Sequence, residues 1–76
     1  MTTFEKIRSM LSKQLFVDES QITLESRLIE DLKADSANVM VLIMEMEDIF
    51  GIEVEDNIIL DLKTVKDVVD YVEHTA

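Results

Sequence analysis

A single glycine, Gly51, and the absence of proline are what most constrain the fold of this 76-residue chain. A multistranded β domain needs turn residues at regular intervals, and this sequence has too few of them. Hydrophobic residues nevertheless make up 47% of the chain, which is too many for a disordered acidic tail. The sequence therefore predicts a single all-α domain over residues 1–76.

The spacing of apolar residues predicts a first helix over residues 3–17, with Thr2 or Thr3 as its cap. The pattern then loosens from Asp18 to Asp35, a segment that is long for a structureless connection. We therefore expect a long, partly ordered loop between the first and second helices. Four aliphatic residues are expected to hold it against the core, namely Ile22, Leu24, Leu28 and Leu32.

A second helix is predicted between a cap at Asp35 or Ser36 and Gly51, a residue type that commonly ends helices in the left-handed conformation. Its core stripe has helical spacing and comprises Val39, Leu42, Ile43, Met46, Ile49 and Phe50. A neighbouring face carries a second apolar set beside two acids: Ala37, Met40, Val41, Met44, Glu47 and Asp48. Either the helix is buried nearly all round, or this face is an exposed docking surface for protein partners.

The acids of the second helix favour the docking interpretation. Glu45, Glu47 and Asp48 lie in its carboxyl-terminal half, where the helix dipole disfavours each negative charge by roughly 0.3–1 kcal/mol. No Lys or Arg lies nearby in sequence to offset them. A local rule broken in this way is more common at a functional surface than elsewhere.

Two more helices complete the predicted fold. After an extended stretch over residues 52–55, Asp56 is expected to cap a short helix that runs through Leu60. Thr64 begins the last helix, and Asp67, three residues later, predicts a capping box. The inward-facing residues of this helix are predicted to be Val65, Val68, Val69 and Val72. The result is a small bundle of three main helices and one short helix.

Negative charge restricts the partners. Seven Lys and Arg residues against 17 Asp and Glu residues give a net charge of −10, and residues 35–61 hold eight acids and no base. Such a surface repels nucleic acids and anionic membranes and favours basic protein partners. The longest apolar run, Val39–Met44, is far too short to span a membrane, and charges interrupt the first 16 residues, unlike a signal peptide. We expect a cytoplasmic monomer with no membrane insertion and no nucleic-acid partner.

Catalytic and metal-binding groups are scarce. The chain has no Cys, and its one histidine, His74, lies two residues from the end, so nucleophile–base pairs and zinc sites lack members. An EF-hand starting at Asp31 would place Lys33 and Leu42 at ligand positions, which excludes that calcium loop. We expect a protein that is not an enzyme and has no specific metal site.

Ser36 has two interpretations. A serine before a helix is most often an N-cap, although Asp35 competes for that role. A phosphate attached to the hydroxyl of Ser36 would instead lie at the positive end of the helix dipole. Position alone leaves both interpretations open.

Taken together, these residues resemble those of acyl carrier proteins over essentially the whole chain. The resemblance rests on Asp35-Ser36, the helical run Val-Leu-Ile-Met-Glu-Met-Glu-Asp-Ile-Phe over residues 41–50, the segment 28–32, the acidic stretch that follows the helix, and Thr64-Val65. It implies that a phosphopantetheinyl transferase, contacting Asp35, esterifies Ser36 with 4′-phosphopantetheine. The arm then carries acyl groups as thioesters, as in fatty acid biosynthesis.

The resemblance also implies where partners and cargo bind. Acyl-processing synthases and transferases would place basic patches on the second helix, at Ala37, Met40, Val41, Met44, Glu47 and Asp48. The acyl chain would lie between the second helix and the short third one, in a pocket lined by Met46, Val54, Ile59, Leu62 and Val68. Position 59 is often small in the family, so Ile59 is expected to narrow the deep end of that pocket.

Three residues depart from the family pattern. The family usually has Leu where this chain has Ala37, and it often has acids at the positions of Asn38 and Val41. These departures make the predicted docking face more apolar. They leave open a specialised carrier for an aminoacyl, hydroxyacyl or polyketide group, and also an unmodified acidic interaction module that merely keeps the fold.

Overall fold

The structure, a computed structural model, describes residues 2–59 and 61–75, without the side chains of Ser36 and Asp56. The described chain forms a bundle of three long helices and one short helix, with a 3₁₀ turn at Glu19–Gln21: α1 Thr3–Leu15, α2 Ser36–Phe50, α3 Asp56–Ile59 and α4 Val65–Thr75. The predicted all-α fold, with its long loop between the first and second helices, is confirmed. Leu60, the expected end of the short helix, and the capping side chain of Asp56 lie outside the described part.

The first helix begins at its predicted cap and ends earlier than predicted. Thr2 accepts a hydrogen bond from the backbone N–H of Glu5 at 3.1 Å, and the Glu5 carboxylate accepts one from the Thr2 N–H at 3.0 Å. The predicted end at residue 17 is wrong by two residues, because Phe16 takes the left-handed conformation with φ 55° and terminates α1 at Leu15. Left-handed backbone at a helix C-cap breaks the helical hydrogen-bond pattern.

The long loop is fastened to the start of α4 by backbone hydrogen bonds. Leu28 donates to the carbonyl of Lys63 and Val65 donates to that of Ser26, both at 2.9 Å. Three of the four predicted anchors, Ile22, Leu28 and Leu32, are buried. Leu24 is the exception, with 37% of its side chain exposed, since its carbonyl rather than its side chain makes the contact, accepting from the N–H of Lys66 at 2.9 Å.

The core lies where α1 packs against both α2 and α4. Its least exposed side chains come from all three helices: Ile7, Leu11, Met46, Val65 and Val72. The predicted inward faces of α2 and α4 are confirmed, apart from Ile49, which is 54% exposed. Ile49 lies about 80° around the helix from Val39, at the margin of the stripe, where the spacing no longer guarantees burial.

Capping boxes fix where α2 and α4 begin. Thr64 Oγ1 accepts from the N–H of Asp67, and the Asp67 carboxylate accepts from the N–H of Thr64, each at 3.1 Å. This confirms the predicted box of α4.

None of the helices within residues 2–59 and 61–75 has both the length and the apolar character that crossing a membrane requires.

Candidate functional site

Asp35 caps α2, so that Ser36 is the first residue inside the helix. Asp35 Oδ1 accepts a hydrogen bond from the N–H of Asn38 at 2.8 Å, and Asn38 Oδ1 accepts one from the N–H of Asp35 at 3.3 Å. The interpretation of Ser36 as the N-cap is therefore wrong, because the neighbouring carboxylate fills that role. Asn38, one of the residues that depart from the family pattern, completes the capping box.

The first turn of α2 suits an anionic substituent. Its free N–H groups form the positive end of the helix dipole, and no acidic residue lies within the turn itself. A phosphodiester on Ser36 would lie at this end of the helix, where negative charge is stabilised. The residues present therefore fit an attached phosphate group.

An exposed apolar ridge runs along the outer face of α2. Met40, Val41 and Met44 are 48%, 42% and 62% exposed, and Ala37 and Asp48 are exposed beside them. The interpretation of α2 as a helix buried nearly all round is therefore wrong. We call Ala37, Met40, Val41 and Met44 the α2 ridge; the structure brings its members together on one face.

The acids of α2 have different surroundings. The carboxylate of Glu47 accepts a hydrogen bond from the backbone N–H of Val54 at 3.0 Å, and that of Glu45 accepts one from the Gln14 side chain. Glu45 and Glu47, two of the three acids that the helix dipole disfavours, are thus stabilised by hydrogen bonds within the fold. Asp48 alone is exposed beside the ridge.

A groove of about 580 Å³ opens beside the first half of α2. Six aliphatic or thioether residues and four polar ones line it: Leu28, Ile29, Val39, Met40, Ile59, Leu62, Arg27, Glu30, Lys63 and Thr64. Val39 and Met40 follow Ser36 by three and four residues, which places all three on the same side of the helix. A chain attached to Ser36 would therefore have an apolar groove within one helical turn.

A second, internal cavity of about 20 Å³ lies deeper in the core. Leu28, Val39 and Leu62 line both spaces. The five residues predicted to line one acyl pocket are divided: Ile59 lies on the groove, Met46 and Val68 line the internal cavity, and Leu62 lines both. Val54 lines neither space, and its backbone is tied to Glu47 instead.

An arginine clamp holds the loop that forms one wall of the groove. The guanidinium of Arg27 lies 2.5 Å from the carboxylate of Glu30 and 3.2 Å from that of Asp31, which also accepts from the Arg27 N–H at 2.9 Å. Hydrogen bonds from the Arg27 side chain, and then from its backbone, lower the pKa of Asp31. The hydrogen bond to Asp31, followed by charge attraction to Asp31 and Glu30, raises the pKa of Arg27.

Sequence reasoning missed the polar and loop-derived part of this groove. Arg27, Ile29 and Lys63 come from connections, where helical periodicity gives no signal. Ile29, 62% exposed, adjoins the buried Leu28. The antiparallel backbone pairing of Arg27 with Thr64, together with the hydrogen bond from the Lys66 N–H to the Leu24 carbonyl, brings these distant segments together.

Known proteins resemble this chain over most of its length. The sequence model of the phosphopantetheine attachment site matches residues 5–72. The acyl carrier protein of Helicobacter hepaticus is 48% identical over 73 residues, covering 96% of each chain. That of Thermotoga maritima is 46% identical over 70 residues, covering 92% of this chain and 86% of the relative.

A solved structure of a thermally stable acyl carrier protein from Enterococcus faecalis superposes with a TM-score of 0.85 at 32% identity, with complete coverage of both chains. The chain is a phosphopantetheine-binding protein. Within that class it belongs to the acyl carrier protein family. Its members bear a covalently attached 4′-phosphopantetheine group, carry acyl groups rather than catalyse their chemistry, and interact with a phosphopantetheinyl transferase and acyl-processing enzymes.

Proposed function

We propose that this protein carries acyl intermediates of fatty acid biosynthesis on a 4′-phosphopantetheine arm attached to Ser36. The observation that carries the proposal is the position of Ser36, first in α2, next to a capping Asp35 and within one turn of the groove-lining Val39 and Met40. The phosphate of the arm would lie at the positive helix end, and its acyl cargo would reach apolar surface. Residues 1–76 act here as one carrier domain.

Intact mass spectrometry tests the attachment site. The apo protein is incubated with coenzyme A and a bacterial phosphopantetheinyl transferase, and one phosphopantetheine increment is expected. Ser36→Ala should lose the increment, whereas Ser20→Ala, at an exposed serine in the 3₁₀ turn, should retain it. An increment that persists in Ser36→Ala would show that the arm is attached elsewhere, and wild type that takes up no arm would favour an unmodified interaction module.

The α2 ridge supports docking by basic acyl-processing enzymes. Ridge and groove share Met40, so a partner seated on the ridge would lie next to the emerging cargo. The negative charge concentrated over residues 35–61 would attract a basic patch from a distance, while the ridge supplies short-range apolar contact. We also propose a monomer, because self-association through the ridge would cover this surface.

The groove supports an alkyl cargo, and hence the fatty acid pathway over aminoacyl carriers. Six of its ten lining residues are apolar, and buried apolar area is what stabilises an alkyl chain. The malonyl-loaded protein, added with acetyl-CoA as primer and NADPH and NADH as reductants to purified bacterial fatty acid synthesis enzymes, should accumulate acyl chains that grow by two-carbon steps. Attachment of the arm without any elongation would retain the carrier function but assign the protein to a specialised pathway.

A further inference from the structure

Phe16, the residue that ends α1, conflicts with two local preferences at once. Its side chain is 95% exposed, more than any other large hydrophobic side chain in the described part of the chain. Its backbone has φ 55° and ψ 44°, a left-handed conformation that is strained for a residue with a side chain and that glycine adopts readily. Glycine here would relieve the strain and remove apolar surface from water. Such conflicts are more common at functional positions than elsewhere.

The turn around Phe16 is well ordered. The Phe16 N–H donates a hydrogen bond to the Ser12 carbonyl, and the Ser12 hydroxyl donates one to the Val17 carbonyl at 2.6 Å. Leu15 and Val17, on either side of Phe16, pack against the core. A partner that binds the ring therefore does not have to immobilise a flexible loop, which lowers the cost of binding. Aromatic side chains are enriched at protein–protein interfaces.

A side-chain hydrogen bond places Phe16 near the α2 ridge. Gln14, two residues before Phe16, donates to the carboxylate of Glu45, so the end of α1 lies beside the middle of α2. Glu45 follows Val41 by four residues, which makes their side chains neighbours on the helix surface. Two residues span at most about 7 Å. A partner that covers Val41 of the ridge therefore comes within reach of Phe16.

The area of one aromatic ring indicates what covers Phe16. A phenylalanine side chain buries about 150–250 Å², whereas a stable interface takes about 800 Å² from each partner. A second copy paired through Phe16 alone therefore falls short, and the apolar surface that adjoins Phe16 is the α2 ridge. Chemistry fixes the position of one enzyme on this surface. A phosphopantetheinyl transferase has to reach Ser36, at the start of α2.

We propose that Phe16 is an anchor for the phosphopantetheinyl transferase, which binds the ring in an apolar pocket while it covers the α2 ridge. This rests on the proposed attachment of the arm to Ser36 and adds a binding residue that lies outside α2. Because Phe16 is on another helix than Ser36, its ring should affect the affinity of the transferase for the apo protein and not the rate of transfer. The net charge of −10 makes an anionic lipid surface a poor alternative occupant.

Steady-state modification of the apo protein by the transferase of the same organism tests the proposal, with intact mass as the readout. Phe16→Gly should raise the KM for the apo protein about 10-fold and change kcat by less than about twofold. In the same variant the thermal midpoint should rise by about 2–5 °C, because the backbone strain is relieved. A gain of stability together with a loss of affinity distinguishes an anchor from a residue that supports the fold.

Two further variants separate the ring from the backbone and from exposed apolar area in general. Phe16→Asn also removes the ring, but with a residue type that tolerates left-handed backbone, and should raise KM by the same factor. Leu24→Asn removes a partly exposed apolar side chain from the loop, where the Leu24 carbonyl is bonded to α4 instead of α2. It should leave KM unchanged.

Three kinetic results would overturn the proposal: an unchanged KM in Phe16→Gly, an increase that Phe16→Asn does not share, or an equal increase in Leu24→Asn. Evidence for another occupant at unchanged KM would also overturn it. That evidence is either a wild-type dimer in sedimentation equilibrium that Phe16→Gly dissociates, or binding of wild type, but not of Phe16→Gly, to phosphatidylglycerol vesicles. Wild type without a mass increment would reject the carrier assignment itself, whereas an increment with unchanged KM rejects only the anchor.

Discussion

The carboxylate of Glu47 in α2 accepts a hydrogen bond of 3.0 Å from the backbone N–H of Val54, seven residues later. It ties the acidic stretch after Gly51 back onto the helix from which that stretch emerges. Glu47 is half-buried, whereas the adjacent Asp48 is exposed. Two consecutive acids of the predicted docking face therefore have different surroundings, and their substitutions should have different effects.

Glu47→Ala should destabilise the protein by about 1 kcal/mol, because the partly buried N–H of Val54 loses its hydrogen-bond acceptor. Asp48→Ala should change the free energy of unfolding by less than about 0.5 kcal/mol, since it removes an exposed charge from an unfavourable end of the dipole. Urea unfolding of both variants measures the two effects. Equal losses of stability would show that the Glu47–Val54 hydrogen bond contributes nothing.

The capping carboxylate of Asp35 should have two separable roles. Asp35→Ala should cost about 1 kcal/mol of stability through loss of the cap. It should also slow modification of Ser36, because Asp35 is expected to contact the transferase. Asp35→Asn, whose side chain caps nearly as well, should retain stability and still be modified slowly. Rapid modification of Asp35→Asn would restrict Asp35 to the capping role.

Eight acids within residues 35–61 should make the compact state sensitive to ions. Mutual repulsion destabilises the fold, and counterions reduce that repulsion, so moderate NaCl should raise the thermal midpoint. Millimolar Mg²⁺ should raise it further than NaCl of the same ionic strength, because a divalent ion screens neighbouring carboxylates more effectively. A midpoint that responds to neither salt would indicate that repulsion among these carboxylates is negligible.

Local signals predicted where the long helices begin and which faces are buried, but neither the end of α1 nor the groove. Thr64 and Asp67 are three residues apart, so their capping box was readable from sequence, as was the valine face of α4. The clamp of Arg27 on Asp31 and the pairing of Arg27 with Thr64 depend on how the loop folds back. Periodicity carries no information on such contacts between connections.

The family resemblance predicted one acyl pocket between the second and third helices, yet the five residues predicted to line it do not share one space. Met46 and Val68 lie on faces that point into the core, whereas Ile59 lies on the external groove. Spacing along a helix gives the inward direction but not where packing leaves a gap. The exposure of Met44 was equally undecided in sequence, because a ridge and a fully buried helix have the same pattern.

The exposed Met44 and the buried Met46 provide a matched pair for testing the α2 ridge. Met44→Ala should leave stability nearly unchanged and speed dissociation of a partner enzyme, because short-range apolar contact acts on the dissociation rate. Met46→Ala, at a position 1% exposed, should cost about 2–5 kcal/mol of stability. Surface plasmon resonance with a phosphopantetheinyl transferase and urea unfolding measure the two effects; unfolding of Met44→Ala would contradict the assignment of the ridge.

The negative charge beside the ridge should act on association instead. Asp48→Lys should lower the association rate with the same transferase and flatten its dependence on salt, since electrostatic steering towards a basic patch is reduced. The dissociation rate should change much less. A dominant effect on dissociation would mean that Asp48 makes a direct, desolvated contact.

Ile59, half-buried on the groove, should set the length of alkyl chain that the protein shelters. Each methylene moved out of water contributes about 0.8 kcal/mol, so the thermal midpoint should rise with chain length across a series of saturated acyl arms and then level off. Ile59→Ala enlarges the groove and should move that plateau to longer chains. Ile58→Ala, on the neighbouring half-buried residue that does not line this groove, should lower all midpoints without moving the plateau. A series that is flat from the shortest arm onwards would show that the cargo stays in solvent and would favour the specialised carrier.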